Sequence, residues 1–288
     1  MYELHQIGES TYYIDCPAKI GVFVEADGVY LIDSGSDKDA GRRVKKILDE
    51  KNWRLKAILN THSHADHIGG NRYLQQQTEC AVFASGMEAA FVRHPVLEPS
   101  LLYGGCPPKE LRHKFLMAQE SNVSDAAFPP AVEVIPLPGH APDMVGYRTR
   151  DDVVFLADCV SSAVTLEKYG ITYVYDVGAA LETLDRVAGM QASLFVPAHA
   201  QVTADISELA RLNGEKMHAT GDLILCICQT PLPFEEILKA VFDRYDLRMN
   251  FEQYALVGAA VRSFLSWMKE AGRISASFVD NKMLWVAN

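Results

Sequence analysis

Hydrophobic positions along this chain change period several times, and each change marks an element. Tyr12-Tyr13-Ile14-Asp15, Gly21-Val22-Phe23-Val24-Glu25 and Val29-Tyr30-Leu31-Ile32-Asp33 read as strands. Asp27-Gly28 is a hairpin signal between the last two. From Asp37 to Glu50 the spacing becomes helical, with Val44, Ile47 and Leu48 on one face. Leu55 to Asn60 is again an apolar strand, followed by a short helix over 70–77, a strand over 80–84 and a helix over 87–93 that stops before Pro95. Residues 94–131 break the rhythm with Pro95, Pro99, Pro107, Pro108, Pro129, Pro130 and Gly104-Gly105, around one helical stretch at 109–120. A long irregular segment of this kind points to a lid or binding loop. Strands return at 132–137, and 144–149 with 152–156 form a hairpin over Arg150-Asp151. A loop at 161–175 carries Tyr169, Tyr173 and Tyr175, which either face a cleft or pack in an aromatic core. Asp176 caps a helix over 176–190 that turns Leu181, Leu184 and Val187 inward. A strand over 193–196 and a helix over 204–219 complete a body of residues 1–220.

Candidate chemistry gathers at Thr61-His62-Ser63-His64-Ala65-Asp66-His67, directly after the 55–60 strand. Alternation puts His62 and His64 on one side of an extended chain. Asp66 and His67 join them only if the chain turns there into a short helix. Imidazoles and a carboxylate so gathered suit Zn²⁺ and related divalent metals. Three further candidates each follow a short apolar strand: His140 after Pro138-Gly139, Asp158, and His199 after Pro197-Ala198. Loops at strand ends are where a sheet scaffold presents a site. Five histidines and two aspartates exceed the three protein ligands of a single catalytic zinc. They suit two divalent ions, zinc by preference, with iron or manganese as alternatives. His62, His64 and His140 would hold one ion, Asp66, His67 and His199 the other, and Asp158 would bridge. Asp33, at the end of its strand, either orients a ligand imidazole from behind or serves as a turn or N-cap residue. His5, His94, His113 and His218 have no such context.

His62-Ser63-His64-Ala65-Asp66-His67 with His140, Asp158 and His199 resembles the metallo-β-lactamase superfamily, in its HxHxDH branch similar to glyoxalase II. All seven ligands of the dinuclear form find a match. The resemblance implies an α+β fold, the αββα sandwich, with two facing sheets, helices outside and the site at one edge. It implies a metal-dependent hydrolase in which a hydroxide bridging two metals attacks a small carbonyl ester, thioester or lactone, with Asp66 moving protons. The same motif serves β-lactams and phosphodiesters and, with iron, persulfide oxidation. A phosphodiesterase or nuclease and a mononuclear iron persulfide dioxygenase are therefore the alternatives. His64 stands where flavodiiron oxygen reductases carry Glu. Cys159 lies beside Asp158 rather than in its place, unlike the zinc β-lactamases with a cysteine ligand, and the long insertion of β-CASP nucleases is not seen.

After about residue 220 the pattern changes. Pro231-Leu232-Pro233 marks a break, and helices follow over 234–245 and 250–271, the second closed by Gly272. A hairpin over Asp280-Asn281 joins 274–279 to 282–286. Residues 221–288 thus resemble a winged-helix module, which commonly meets nucleic acid. Seven basic against eight acidic residues in this stretch make no electrostatic footprint for phosphate. The tail reads instead as a packing or dimerisation module, pointing to a homodimer, that also walls the substrate cleft. The chain's net charge of −10 further disfavours nucleic acid and anionic membranes, and leaves a small-molecule substrate as the expected partner. No apolar run reaches membrane-spanning length. Met-Tyr-Glu-Leu-His lacks the pattern of a signal peptide. Six cysteines, mostly in apolar strand-like contexts, suit a reducing compartment, so a cytoplasmic location is expected.

Overall fold

A computed structural model describes residues 2–288. Strand β1 (Glu3–Gln6), missed in the sequence, opens an antiparallel meander with β2 (Thr11–Asp15), β3 (Ile20–Glu25) and β4 (Gly28–Ile32). Helix α1 (Lys38–Glu50) carries the chain to β5 (Leu55–Leu59), which lies parallel to β4. Short helices α2 (Ala65–Ile68) and α3 (Asn71–Thr78) lead to β6 (Ala81–Phe83), parallel to β5. These six strands form one sheet in sequence order. Helices α4 (Gly86–Arg93) and α5 (Leu97–Tyr103) precede the second sheet. That sheet holds β7 (Glu133–Pro136), β8 (Val145–Arg148), β9 (Val153–Ser161) and, after α6 (Ala163–Tyr169) and α7 (Val177–Ala188), β10 (Leu194–His199), in the order β10-β9-β8-β7.

Period-2 alternation decides which side chains meet. Phe23, Ile32, Leu59 and Phe83 point from the first sheet onto Val145, Tyr147, Phe155 and Val196 of the second. Their neighbours Val22, Leu31 and Ile58 face the other way, onto Val44 and Leu48 of α1 and Leu74 of α3. Val154, Leu156 and Phe195 likewise face Leu184 and Val187 of α7 and Ala210 of α8 (Ser207–Ile227). The result is helix, sheet, sheet, helix, the αββα sandwich expected from the motif.

Three local expectations fail for identifiable reasons. Residues 109–120 form only a 3₁₀ turn at Lys109–Leu111, because Leu111 and Leu116 are drawn onto Ala255 rather than stacked along one helix. Residues 97–103, read as irregular, are α5: Pro99 falls in its first turn, where a missing N–H costs no helical bond. The 161–175 loop contains α6, capped by the Ser162 side chain, which accepts from Thr165 N.

The C-terminal residues form a helix-and-strand module: β11 (Leu232–Pro233), α9 (Phe234–Arg244), α10 (Phe251–Glu270), β12 (Ile274–Val279) and β13 (Lys282–Ala287), in the sheet order β11-β13-β12. Asp280 and Asn281 turn the hairpin with φ of 48° and 61°, a conformation Asp and Asn tolerate better than most residues. Helix α8 runs unbroken through position 220, and Leu225–Cys228, apolar enough to pass for a strand, forms its C-terminal end. Among the described residues no helix is long and apolar enough to cross a membrane.

Candidate metal centre

Strand ends build the site. Beyond Leu59 the chain is held from the second sheet: Tyr147 Oη donates to Asn60 O (2.7 Å) and Val145 N to Thr61 O (2.9 Å). His64 is the N-cap residue of α2, so the turn into that helix brings Asp66 and His67 back toward His62 and His64. His140 follows β7, and His199 ends β10. Asp158, expected just past a strand, lies inside β9. Ala157 before it has φ of 50°, and the β9–β10 register shifts opposite, a bulge that re-aims the carboxylate. All seven residues converge. Their donor atoms fall into three groups, each with mutual separations within 4.8 Å: His62, His64, His140; Asp66, His67, His199; and His62, His67, Asp158.

Four of the imidazoles have one nitrogen engaged away from the centre, which fixes what the other can do. His67 Nδ1 donates to Asp33 Oδ2 (2.7 Å). That turns Nε2 toward the centre, 3.1 Å from Asp158 Oδ1. Thr61 Oγ1 also donates to Asp33 Oδ2 (2.7 Å), so its own lone pair receives His62 Nδ1–H (3.0 Å) and frees His62 Nε2. His199 Nδ1 donates to Pro17 O (2.9 Å), leaving Nε2 3.3 Å from Asp66 and 3.2 Å from Asp158. His64 Nε2 lies 3.4 Å from Glu98 Oε1, while its Nδ1 meets His140 Nε2 at 3.0 Å. Asp33 is therefore the residue that orients His67; the N-cap of α1 is Asp37.

Charge divides the site in two. Burial, then the neighbouring imidazoles, push His62 well below its ordinary pKa and His140 down to about 3. Burial also opposes a charged His67, but Asp158, Asp66 and Asp33 outweigh it and hold the ring well above the usual value. Asp158 is the main cause of His199 rising to about 10. Burial resists ionisation of both aspartates, yet His67 and His199 hold Asp66 at about 2 and Asp158 well below the carboxylate range.

This donor set fits divalent metal. Among the described residues, four buried side-chain polar atoms lack a hydrogen-bond partner, and three are here: His62 Nε2, His67 Nε2 and Asp158 Oδ1. Such atoms are costly unless something satisfies them. Spacings of 3.0–3.8 Å between facing donor atoms are what ligands of one tetrahedral ion show, roughly 3.4 Å for bonds near 2.1 Å.

Sequence reading missed two buried glutamates. Glu88 of α4 accepts from Ser63 N (2.9 Å) and from Asp143 N (3.0 Å), tying together the loops that carry His62, His64 and His140. Glu98 of α5 is 8% exposed, and burial pushes its carboxyl up against the pull of His64. Neither has a local signal, because only tertiary packing brings them to the histidines. Of the three tyrosines offered to a cleft, Tyr173 lines it, with ring centroids 5.4 Å from His64 and 5.6 Å from His140. Tyr175 lines a separate groove with Leu101 and Arg262, and Tyr169 is 46% exposed.

The chain is similar to several known proteins. A family model described as the metallo-beta-lactamase superfamily matches residues 13–199. A hydroxyacylglutathione hydrolase of Methylococcus capsulatus is 32% identical over 138 residues, 45% of this chain and 45% of that enzyme, so the chain spans less than half the length of that relative. A probable metallo-hydrolase of Bacillus subtilis is 24% identical over 233 residues, 70% of this chain and 86% of the relative. A metallo-beta-lactamase family protein from Thermus thermophilus superposes with a TM-score of 0.72 at 18% identity, over 100% of this chain and 98% of that one. That likeness takes in the C-terminal module as well. The family match runs from within β2 to the last residue of β10 and encloses all seven converging side chains, so the chain belongs to the metallo-β-lactamase superfamily.

Proposed function

We propose that this metal-dependent hydrolase holds two divalent ions, zinc by preference, and cleaves a small carbonyl ester, thioester or lactone. The observation that carries the reading is the convergence of five imidazoles and two carboxylates on three unpartnered buried atoms. His62, His64 and His140 would hold one ion, and Asp66, His67 and His199 the other. Asp158 would serve both, since Oδ1 faces His67 and Oδ2 lies 3.5 Å from His140 and 3.2 Å from His199. Bound divalent ions lower the pKa of a water toward neutrality and draw charge from a substrate oxygen.

The chain's own residues do the rest. Asp33, Thr61 and Pro17 O engage Nδ1 of His67, His62 and His199, so that each turns Nε2 to the centre without moving its ring. Asp66 lines the cleft, and His67 and His199 keep it ionised. It can accept a proton from the nucleophile and return it to the leaving group. Phe115, Leu116 and Leu256 line the approach and limit water there. The hydroxyacylglutathione hydrolase match supports thioester or ester cleavage as the reaction class.

The test is elemental analysis followed by a panel of esters, thioesters and lactones. Two metal equivalents per chain, with hydrolysis that a chelator abolishes and added zinc restores, is the expected result. Fully loaded protein that cleaves no member of the panel would reject the reading.

A further inference from the structure

The cleft in front of the metal centre encloses about 170 Å³, less than the roughly 300–1,000 Å³ of a site that swallows a whole drug-sized ligand. It therefore takes the reacting end of a substrate. Around that end the wall is apolar and acidic: Phe115, Leu116, Tyr173 and Leu256, with Glu98 and Glu252. Among the described residues no lysine or arginine lines it. Arg112 and Arg248, near the wall in sequence, do not line the cleft, and two other basic side chains close to it in sequence are engaged elsewhere. Lys114 Nζ binds Asp37 Oδ2 (2.9 Å), and the Arg262 guanidinium sits 3.7 Å from the centroid of the Phe234 ring. The imidazole beside Glu252, that of His113, lies 3.9 Å from its carboxylate.

We infer that this cleft selects substrates whose group beside the scissile carbonyl is apolar or cationic, and turns away those bearing a carboxylate there. The inference rests on the hydrolase reading and narrows it. Glu98 is buried and offers an acidic wall but no cation to an incoming group. Glu252 stands at the rim with its side chain 38% exposed and meets an incoming group first. A substrate carboxylate directed along this wall, away from the metals, would meet Glu252 at the rim with no lysine or arginine lining the cleft to receive it. A methyl or methylene group would meet Phe115, Leu116 and Leu256, and a quaternary ammonium would meet the carboxylates and the Tyr173 ring. Specificity of this kind works by repulsion of the wrong partner as much as by attraction of the right one. The wall comes from both the 94–131 segment and α10, so the C-terminal module sets substrate choice without supplying a metal ligand.

Three hydroxamic acids of equal length, ending in methyl, trimethylammonium or carboxylate, test the filter by calorimetry on the zinc-loaded protein. The carboxylate tail should bind about tenfold more weakly than the methyl tail, and the ammonium tail at least as well as the methyl. Glu252→Lys should bring the carboxylate and methyl tails to within about twofold of each other. Glu252→Gln, a milder change on the exposed first turn of α10, should shift the ratio the same way by less. A carboxylate tail that binds as well as methyl, or a ratio that neither variant moves, overturns the filter. Esters with the same three tails separate it from the hydrolase reading. The expected binding order without turnover rejects the hydrolase alone. Turnover without tail preference rejects the filter alone, and no binding by any of the three acids rejects both.

Discussion

At Asp33 one carboxylate accepts three hydrogen bonds, from His67 Nδ1, Thr61 Oγ1 and Thr61 N (2.8 Å). Its φ of 65° is one that Asn shares readily. Asp33→Asn should therefore keep the fold and change the chemistry. An amide NH₂ facing His67 Nδ1 forces the proton to Nε2, the atom that must be bare to ligate. We expect Tm of the metal-free variant within a few degrees of wild type and zinc affinity down about 10- to 100-fold by competition titration; unchanged affinity would remove Asp33 from the centre. Protons should also leave when metal enters. His67 and His199, held protonated near neutral pH by the aspartates, must become neutral to ligate. Calorimetry in buffers of different ionisation enthalpy should read release of about two protons per chain at pH 7. Apparent affinity should rise with pH above neutrality, as these imidazoles give up their protons. The seven converging residues were legible because each follows a short apolar run or lies in one dense local motif. Glu88 and Glu98 were not, since nothing within a few residues of either marks a carboxylate that packing will carry to a histidine.

Helix and loop geometry place these residues, and single changes there act at a distance. Gly139 has φ of 129°, and a Cβ on it would overlap the Cα and N of Ala180 on α7. Its carbonyl accepts from both Tyr175 N and Asp176 N (2.9 Å each), so it cannot move aside without loosening α7. Gly139→Ala should displace His140, cost about 1–3 kcal/mol, and lower metal content by elemental analysis; full occupancy with unchanged Tm would contradict this. Asp37 caps α1 by accepting from Asp39 N and Ala40 N (3.0 Å each). Asp37→Ala should cost about 1 kcal/mol in urea unfolding. The Ala40 amide and Lys114 depress the Asp37 pKa, so its contribution is complete above the unfolded value of about 3.9 and is lost as pH falls through the folded value below it. The wild type's advantage over Asp37→Ala should thus shrink between pH 5 and 3, and an advantage that grew there would refute the assignment. A cap of this sort was readable for α7, where Asp176 precedes an amphipathic run, whereas for α1 the helix was read from Asp37 without its role as the cap. Helix α5 escaped notice because Pro99 looks like a breaker until its place in the first turn is known. The 109–120 stretch misled because its leucines serve a tertiary contact with α10 rather than a helical face.

Across the whole molecule, two cores join the sandwich to the C-terminal module. Val174 and Val177 pack with Ile224, Ile237, Val241, Phe264 and Met268, and Leu102, Leu111 and Leu116 pack on Ala255. Ser263 Oγ adds a hydrogen bond to Tyr175 O (2.7 Å). Sequence suggested a division near residue 220 because the apolar period blurs there. The blurring has a physical source: the last turns of α8 are apolar on more than one side, since Met217 packs against both the sandwich core and the module core and Ile224 and Cys228 against the latter. A helix buried between two cores loses the one-sided stripe that marks a surface helix. A chain ended at residue 230 would keep α8 but bare Ile224 and Val177 to water, and would leave Leu111 and Leu116 without Ala255. We expect that fragment to bind hydrophobic dye and to lose cooperative melting, while the full metal-free chain unfolds in one calorimetric transition with matching van't Hoff enthalpy. Two resolved transitions in the full chain, or a fragment that melts cooperatively near the full-chain Tm, would make the module a separate domain. The cleft supplies a second readout of the same coupling. Glu252 and Leu256 stand on the first turns of α10, and the core around Ala255 holds those turns against the 94–131 segment. Ala255→Asp would bury a charge there with no basic partner in the core, at a cost of several kcal/mol. The tail preference of the three hydroxamic acids should then vanish while the metal ligands, which lie on other elements, keep their zinc.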